Sequence, residues 1–453
     1  MQLKHNLNSV KNQLSEFAIE EWHQHTSYTH RAGLVVSHVR RNVKPELCTQ
    51  AWCKFLEIQH NLGGVTSLVT DNTVNSVHLC EAPGAFITCF NHVLQSSANQ
   101  SIAWRWIANT LNPYYEGNTS AEMISDDRFI VNTLQNWSFG ADDSGNIMST
   151  QNLTALQQEV KAWKRVDLVT ADGSVDCANE PERQEEMVSH LHLCEVTTAL
   201  HLLSRHGSFV LKTFTLLESS SVCLMFLLNC LFEKVKVFKP TTSKPGNSEV
   251  YVLCQNFLGV STEVLDALKK AIDRKSPLTI FSRSQIPDTF IEQHRKCCQF
   301  FIQHQIKTIT ENVHLYSNMN QERKLHLESQ RLCFIDMFME RYRLSSIDTS
   351  LRIFNERKPL KSLRRAAISR SRHTGSYLSR KHDLNLPWPQ RLALYSQMEL
   401  SLTNIQQLWL PTKNTFSPVA EVSFTCVVGK PYSSMMSSPF CDADLMKTLK
   451  HRT

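Results

Sequence analysis

The chain predicts an α/β protein, a doubly wound sheet with one antiparallel strand and helical extensions at both ends. Three observations carry that expectation. Short apolar runs that read as buried strands alternate with helical patterns between Val77 and Cys254. The last two runs are joined by KPTTSKPGNS, a connection marked by proline and glycine in the manner of a hairpin. On either side of that region apolar residues recur at helical spacing only. Alternating strands and helices favour a parallel sheet covered on both faces, and a hairpin-like link reverses one strand of it. The 453 residues leave room for more than one domain. The expected division is a helical extension at 1–45, the sheet domain at 46–260, a helical extension at 261–345, and a basic linker with an incomplete C-terminal region at 346–453.

From the N-terminus, Leu7, Val10, Leu14 and Phe17 recur at helical spacing and predict an amphipathic helix. A second helix is expected from Pro45 (KPELCTQAWCKFLEIQ), with the proline near its first turn. Leu47, Ala51, Lys54 and Ile58 share one face of it. Lys54 has two readings there, a stem snorkelling at the edge of an apolar stripe or a group aimed at a site. Val77, His78, Leu79 and Cys80 form a short strand, Glu81 to Ala85 the tight turn that ends it, and residues 86–94 the next helix. A strand running through a small-residue turn into a helix N-terminus is where α/β sheets hold ligands, because backbone N–H groups and the helix dipole converge there. WRWIA at 104–108 reads as the second strand, followed by a turn at 109–113. No acid stands at its end to hold a ribose; Trp104 and Trp106 are available to stack on a base or to fill the core.

Asp126, Asp127 and residues 142–149 read as surface loop, and 154–164 as a helix. VDLVTA at 166–171 is a buried strand ended by Asp172 and Gly173, which points an acid into the crevice of an open sheet. A helix at 184–204 leads to SFVLKTF at 208–214, where Lys212 interrupts an apolar run. A lysine in that position is costly unless it lies at the strand tip or is paired. Residues 222–232 form a buried helix, and 234–238 and 249–254 the closing strands. Past Gly259 the pattern is helical, rich in aromatic residues at 290–306 and periodic at Leu325, Leu332, Ile335 and Met339.

The net charge of +6 is unevenly spread. Sixteen Lys and Arg against seven Asp and Glu follow Ser345, so the part before it is slightly acidic. Residues 357–381 hold nine Lys and Arg and no acid, which suits an RNA-contacting arm, a nuclear-import address or a solvated linker. Bulk attraction to nucleic acid would come from this end, and the remainder must use local basic groups. The 14 cysteines include no C-x-x-C pair and no zinc spacing, so reduced intracellular thiols are expected. The longest apolar run has 11 residues and includes Asn229, too short to span a membrane. These features set aside secreted disulfide scaffolds and membrane proteins. The expectation is a soluble protein of the nucleus and cytoplasm with no membrane partner; protein partners are unknown.

Four charged residues fall near element ends on the side of the sheet that holds the turn after Leu79: Lys54, Asp172, Lys212 and Glu249. Two basic and two acidic groups around one crevice suit removal of a proton from a weak acid. A lysine is a base only when neutral, and burial or a neighbouring ammonium lowers its pKa. Lys212 has the apolar strand, and Lys54 is the candidate like charge. Asp172 and Glu249 would oppose the shift while fixing orientation, so the group titrates as a coupled set. A nicotinamide dehydrogenase is disfavoured, because the G-x-G-x-x-G turn and the acid after strand two are both missing.

The stretch SVHLCEAPGAF resembles motif I of S-adenosylmethionine-dependent RNA methyltransferases of the FtsJ-like type. The order Lys54, motif I, Asp172, Lys212, Glu249 resembles the K-D-K-E tetrad of FtsJ-like ribose 2′-O-methyltransferases, and KPTTSKPGNSEVYVLC is similar to the stretch that brings the family's terminal glutamate. The resemblance covers about 46–260 and implies a Rossmann-like sheet of the methyltransferase type. It implies that Lys54, Asp172, Lys212 and Glu249 are catalytic, with Lys212 accepting the proton of a ribose hydroxyl and no metal required. Glu81, Gly84, Ala85 and Asp172 would line the methyl-donor site, with Trp104 added for the adenine. AWCKF, HLCEAPGAF, ANTLNPYYEGN, TADGS and LKTF are most similar to the Adrift-type cap-specific enzymes. That similarity implies methylation of the second transcribed nucleotide at the 5′ end of capped mRNA or small nuclear RNA, forming cap 2.

Two departures stand out. Ala85 occupies a place where many relatives have a second glycine. Cap 2 enzymes also continue into a second, non-catalytic methyltransferase-like domain, and a shortened form without it is expected here. An FtsJ-type enzyme of ribosomal or transfer RNA would share the four residues, but the extra N-terminal helices and the long span from Trp104 to Asp172 set this chain apart from a minimal one. A non-catalytic RNA-binding module would have lost at least one of the four, and all are present.

Overall fold

The computed structural model describes residues 2–96, 102–118, 123–124, 126–175, 177, 181–274, 279–353, 390 and 424–427. The basic stretch at 357–381 and most of 346–453 lie outside these. Three helices open the chain, α1 (Gln2–Asn12), α2 (Ile19–Thr29) and α3 (Val35–Asn42). The helix expected from Pro45 starts later, as α4 (Gln50–Asn61), because Thr49 caps it by accepting the Trp52 N–H. The sheet domain runs β1 (Thr73–Leu79), α5 (Ala85–Ser96), β2 (Ala103–Asn109), α6 (Arg128–Asn132), β3 (Trp137–Ser138), α7 (Thr150–Val160) and β4 (Leu168–Ala171). It continues through α8 (Gln184–Met187), α9 (Ser189–Leu202), β5 (Ser208–Phe214), α10 (Ser219–Leu231), β6 (Phe232–Lys239) and β7 (Glu249–Phe257). Then come α11 (Thr262–Arg274), α12 (Asp288–Ser317), α13 (Gln321–Tyr342) and the short β8 (Phe424–Val427).

The strands lie in the order β3-β2-β1-β4-β5-β7-β6-β8. Those from β3 to β5 are parallel, and β7 runs antiparallel to both β5 and β6. The order reverses between β1 and β4, so their C-terminal tips flank the crevice in which such sheets bind ligands. The reversed strand is β7, and β8, antiparallel to β6, adds a second reversal that the weak periodicity of the C-terminal part does not signal. The expected helix at 184–204 is two helices meeting at Val188, and α6 and β3 lie between the two stretches that read as surface loop.

Each face of the sheet is covered by helices. On one face Phe55 of α4 stacks on Phe86 of α5 with ring centroids 4.3 Å apart, both fully buried. Burying one such side chain is worth about 1.5–3 kcal/mol. Ala32, Val35 and Val39 share this core with Phe334, Ile335 and Phe338 of α13. On the other face Phe226 of α10 packs against Phe290 of α12, and Leu7 of α1 joins the same core. The two extensions also meet each other. Tyr28 donates to Glu328 at 3.0 Å, and His25 Nε2 lies 2.9 Å from the Asn312 carbonyl oxygen. No helix among the described residues is long and apolar enough to cross a membrane.

The position of α4 is set by one buried carboxylate. Glu57 accepts from the Thr241 N–H at 2.7 Å and hydroxyl at 2.6 Å, and from the Thr242 N–H at 2.9 Å and hydroxyl at 2.6 Å. Burial still outweighs these bonds and raises its pKa. The four donors tie α4 to the β6–β7 connection. Glu57→Ala should strand them and lower stability by about 3 kcal/mol, read as a fall in the urea midpoint at constant slope.

Candidate active site

The chain leaves β1 through a turn in which Cys80 takes φ +54° and Gly84 takes φ +107°. A Cβ on Gly84 would sit 2.3 Å from the Phe129 ring, so both backbone and space require glycine there. Glu81 is buried in this turn, and its Oε1 accepts the N–H groups of Phe86 at 2.8 Å and Ile87 at 3.3 Å. The carboxylate thus satisfies donors that the start of α5 leaves without helical partners. Burial, with Asp172 adding like charge, pushes the Glu81 carboxyl well above the usual range. The Glu81 N–H donates to the Asn109 carbonyl at 3.0 Å, binding the tips of β1 and β2 together. Ala85 is the first residue of α5.

Lys54, Asp172, Lys212 and Glu249 form two ion pairs beside this turn. Lys54 Nζ lies 2.7 Å from Glu249 Oε1 and 2.9 Å from Oε2, and Ser243 donates to Oε1 at 2.7 Å. Lys212 Nζ lies 3.3 Å from Asp172 Oδ1 and donates to the Asp172 carbonyl at 2.6 Å. Tyr251, opposite Lys212 in the β5–β7 register, donates its hydroxyl to Asp172 Oδ1 at 2.9 Å. Pairing of Phe214 with Glu249 sets the first residue of β7 beside the last of β5. Asp172 is the most open of the four side chains, at 21% exposure. The apolar stripe of α4 therefore carries a paired lysine, and Lys212 is paired two residues before the end of its strand.

The charge balance differs from the expectation for Lys212. Burial pulls its pKa down, but Asp172, Glu249 and Glu195 together outweigh burial and hold it above the ordinary lysine value. Lys54 does not act as the opposing like charge, because Glu249 engages it directly. For Glu249, burial would raise the pKa, and Lys54 and Lys212 overcome it and bring the carboxyl down.

Sequence reasoning missed two charged residues behind these pairs. Glu195, fully buried on α9, accepts the Gly173 N–H at 2.9 Å. Burial pushes its carboxyl up to about 8 against the pull of Lys212. A Cβ on Gly173 would meet Glu195 Oε1 at 2.3 Å. The available signal was a lone acid inside the apolar run LHLCEVTTAL. Lys239, at the end of β6, donates to the Asn247 carbonyl at 2.9 Å, the Asn247 Oδ1 at 2.7 Å and the Glu249 carbonyl at 2.8 Å. Burial draws its pKa down to about 7 although Glu249 opposes the shift.

Trp104 does not join the site. It pairs with Val74 near the start of β1, its Nε1–H donates to Ser76 at 2.9 Å, and it packs on Phe90 at 5.0 Å. The register of parallel strands puts it at the wrong end of β2. At the right end stands Asn109, whose Nδ2 donates to the carbonyls of Ser138 at 3.1 Å and Gly145 at 3.2 Å. Its Oδ1 is buried with no partner among the described residues. An unsatisfied acceptor at a strand tip beside the switch point suits a hydroxyl-bearing, nucleotide-like ligand. No cluster of three or more His, Cys, Asp or Glu suited to a metal occurs among the described residues.

Residues 47–257 match the FtsJ-like methyltransferase family. Cap-specific mRNA (nucleoside-2'-O-)-methyltransferase 2 of Mus musculus is 40% identical over 459 residues, which cover 99% of this chain and 60% of that protein. Its counterpart in Danio rerio is 40% identical over 467 residues, covering 99% and 61%, and that of Drosophila melanogaster is 38% identical over 457 residues, covering 98% and 64%. The chain spans about 60% of the length of these curated relatives. The glycine turn that opens a helix after β1 and the two lysine–carboxylate pairs all lie within the matched residues, so 47–257 form an FtsJ-like methyltransferase domain.

Proposed function

We propose that the chain methylates the ribose 2′-hydroxyl of the second transcribed nucleotide of capped mRNA, and of capped small nuclear RNA by the same end chemistry. The observation that carries this reading is the convergence of Lys54–Glu249 and Lys212–Asp172 beside the β1 turn. Similarity to the cap-specific relatives extends over 99% of the chain and so includes the helical extensions outside residues 47–257. That breadth favours a capped substrate over ribosomal or transfer RNA. We assign the chemistry to 46–260 and give the extensions at 1–45 and 261–345 a supporting role.

An FtsJ-like methyltransferase domain implies use of S-adenosylmethionine, which supplies an electrophilic methyl group when bound. The turn residues Glu81, Gly84 and Ala85 would hold it, with Asp172 and the unsatisfied Asn109 Oδ1 nearby. The protein's own work is to place and deprotonate a hydroxyl that is a poor nucleophile while it keeps its proton. Lys212 in its neutral form accepts that proton. Asp172 orients the amine, and Tyr251 fixes the Asp172 carboxylate. Lys54, held by Glu249, presents a fixed ammonium to the sugar and stabilises negative charge developing on its oxygen.

The pH dependence comes from the raised pKa of Lys212. Its neutral form is a minor species at pH 7 in the free protein, so the rate should rise with pH. Glu195→Gln removes a charge that raises the Lys212 pKa while keeping an acceptor for Gly173. Its rising limb should therefore lie at lower pH than in the wild type. The two profiles should coincide below about pH 7, where Glu195 is already largely protonated. Coincident profiles at all pH values would remove Glu195 from the charge balance.

Lys212→Ala should reduce methyl transfer at least about a thousandfold with donor affinity retained, whereas Asp172→Ala should lower both, measured by single-turnover transfer and donor titration. Substrate class is tested with short capped RNAs in which the first or second ribose carries a preinstalled 2′-O-methyl. Transfer should persist when the first is blocked and vanish when the second is blocked. Transfer to uncapped RNA alone would replace this reading with an enzyme of ribosomal or transfer RNA.

A further inference from the structure

A cavity of about 330 Å³ is walled in part by the β6–β7 connection, whose Ser243 bonds Glu249. Its size is within the range of small-ligand pockets. The N-terminal extension supplies Trp22 and Arg31 to its walls, the end of β6 Lys239, the connection Ser243 and Lys244, and α12 His304. The wall is shared with the chemistry. Ser243 lines the cavity and donates to Glu249 Oε1 at 2.7 Å, and Lys239 lines it and donates to the Glu249 carbonyl at 2.8 Å.

The interior is positively polarised. Burial lowers His304 to about 4, and Lys239, Lys307 and Arg31 add like charge in the same direction. His30, also on the wall, is lowered to about 4 by burial, opposed by its Thr241 hydrogen bond and assisted by Arg331, Lys244 and Lys239. Both imidazoles are therefore neutral at pH 7. Glu311 at the wall is engaged by Lys307 at 3.8 Å. Arg31 and Lys244 make no side-chain hydrogen bond or ion pair among the described residues. Trp22 gives the cavity an aromatic side and is braced by Phe17, stacked on it at 4.8 Å.

Unpaired cations beside an aromatic wall and neutral hydrogen-bonding rings suit a ligand that joins a flat heterocycle to an anion. We propose that this cavity receives one nucleotide of the RNA strand flanking the methylated ribose, with its base toward Trp22 and its phosphate on Arg31 and Lys244. The inference rests on the RNA reading above. It adds that the strand is also held at the β6–β7 connection, so that filling the cavity steadies the connection that carries Ser243 and the catalytic carboxylate.

The test uses the full chain and capped RNAs carrying a single 4-thiouridine at successive positions. After irradiation, one position should crosslink to peptides containing Trp22 or His304. In parallel, Arg31→Glu combined with Lys244→Glu should raise the KM for capped RNA about tenfold or more, with donor affinity unchanged and the difference from the wild type narrowing at high salt. Methylation of capped RNA by the wild type with crosslinks only elsewhere and an unchanged KM in the variant would overturn the cavity assignment and leave the methyltransferase reading intact. Absence of wild-type methylation on any capped RNA would instead be a failure of that reading. Saturable binding of 5′-GMP to the cavity without any RNA crosslink there would overturn the assignment in favour of a free-nucleotide site. The crosslink is read on the wild type, so a variant that folds poorly does not decide the outcome.

Discussion

The site depends on a buried ion pair that joins two parts of the chain 195 residues apart. Lys54 comes from a helix that precedes the sheet and Glu249 from the strand that closes it. A buried pair of this kind adds little net stability against its desolvation cost, but loss of either partner leaves an uncompensated charge in the interior. The surrounding bonds match that demand. Glu57, one turn along α4 from Lys54, takes four donors from Thr241 and Thr242, while Ser243 and Lys239 hold Glu249. A single connection between β6 and β7 is thus fastened to the helix through Glu57 and to the Glu249 carboxylate through Ser243.

The second pair poses a different problem. A lysine intended as a base would be served by an apolar pocket, yet Lys212 is surrounded by three carboxylates whose sum exceeds the effect of burial. Such an arrangement keeps the ammonium oriented by Asp172 in the free protein and makes its acidity sensitive to any further positive charge brought into the crevice. Glu195 matters here because its own pKa lies close to neutrality, so the number of negative charges facing Lys212 changes within the physiological range.

Much of this was legible in the sequence because it came from periodicity and from the residues that stop a strand. The β1 turn, Asp172 after β4, Lys212 in β5 and Glu249 opening β7 all occupy short apolar runs with abrupt stops, and those stops mark the tips that face the crevice. Two kinds of fact were not legible. Position along a strand depends on register, and pairing with Val74 sets Trp104 at the end of β2 away from the β1 turn. Charge balance depends on which groups meet in space. Glu195 and Lys239 sit in helical and strand contexts that look like ordinary core and edge, and only the folded arrangement brings them to Gly173 and Glu249.

The reversal of β7 makes the protein unequally tolerant of changes in loop length. A side chain at the C-terminal tip of a parallel strand is positioned by the strand that leads up to it, and the loop beyond can lengthen or shorten without moving it. Glu249 is the first residue of its strand, so nothing ordered by β7 precedes it, and its place is inherited from residues 240–248 and from pairing with Phe214. One residue inserted there would move Thr241, Thr242 or Ser243 off its partner on Glu57 or Glu249 while leaving the strand pairing intact. The same insertion beyond Leu258, whose N–H bonds the Leu231 carbonyl at 2.9 Å, would fall past β7 and leave these contacts in place. Drift in chain length is therefore constrained at the first connection and tolerated at the second.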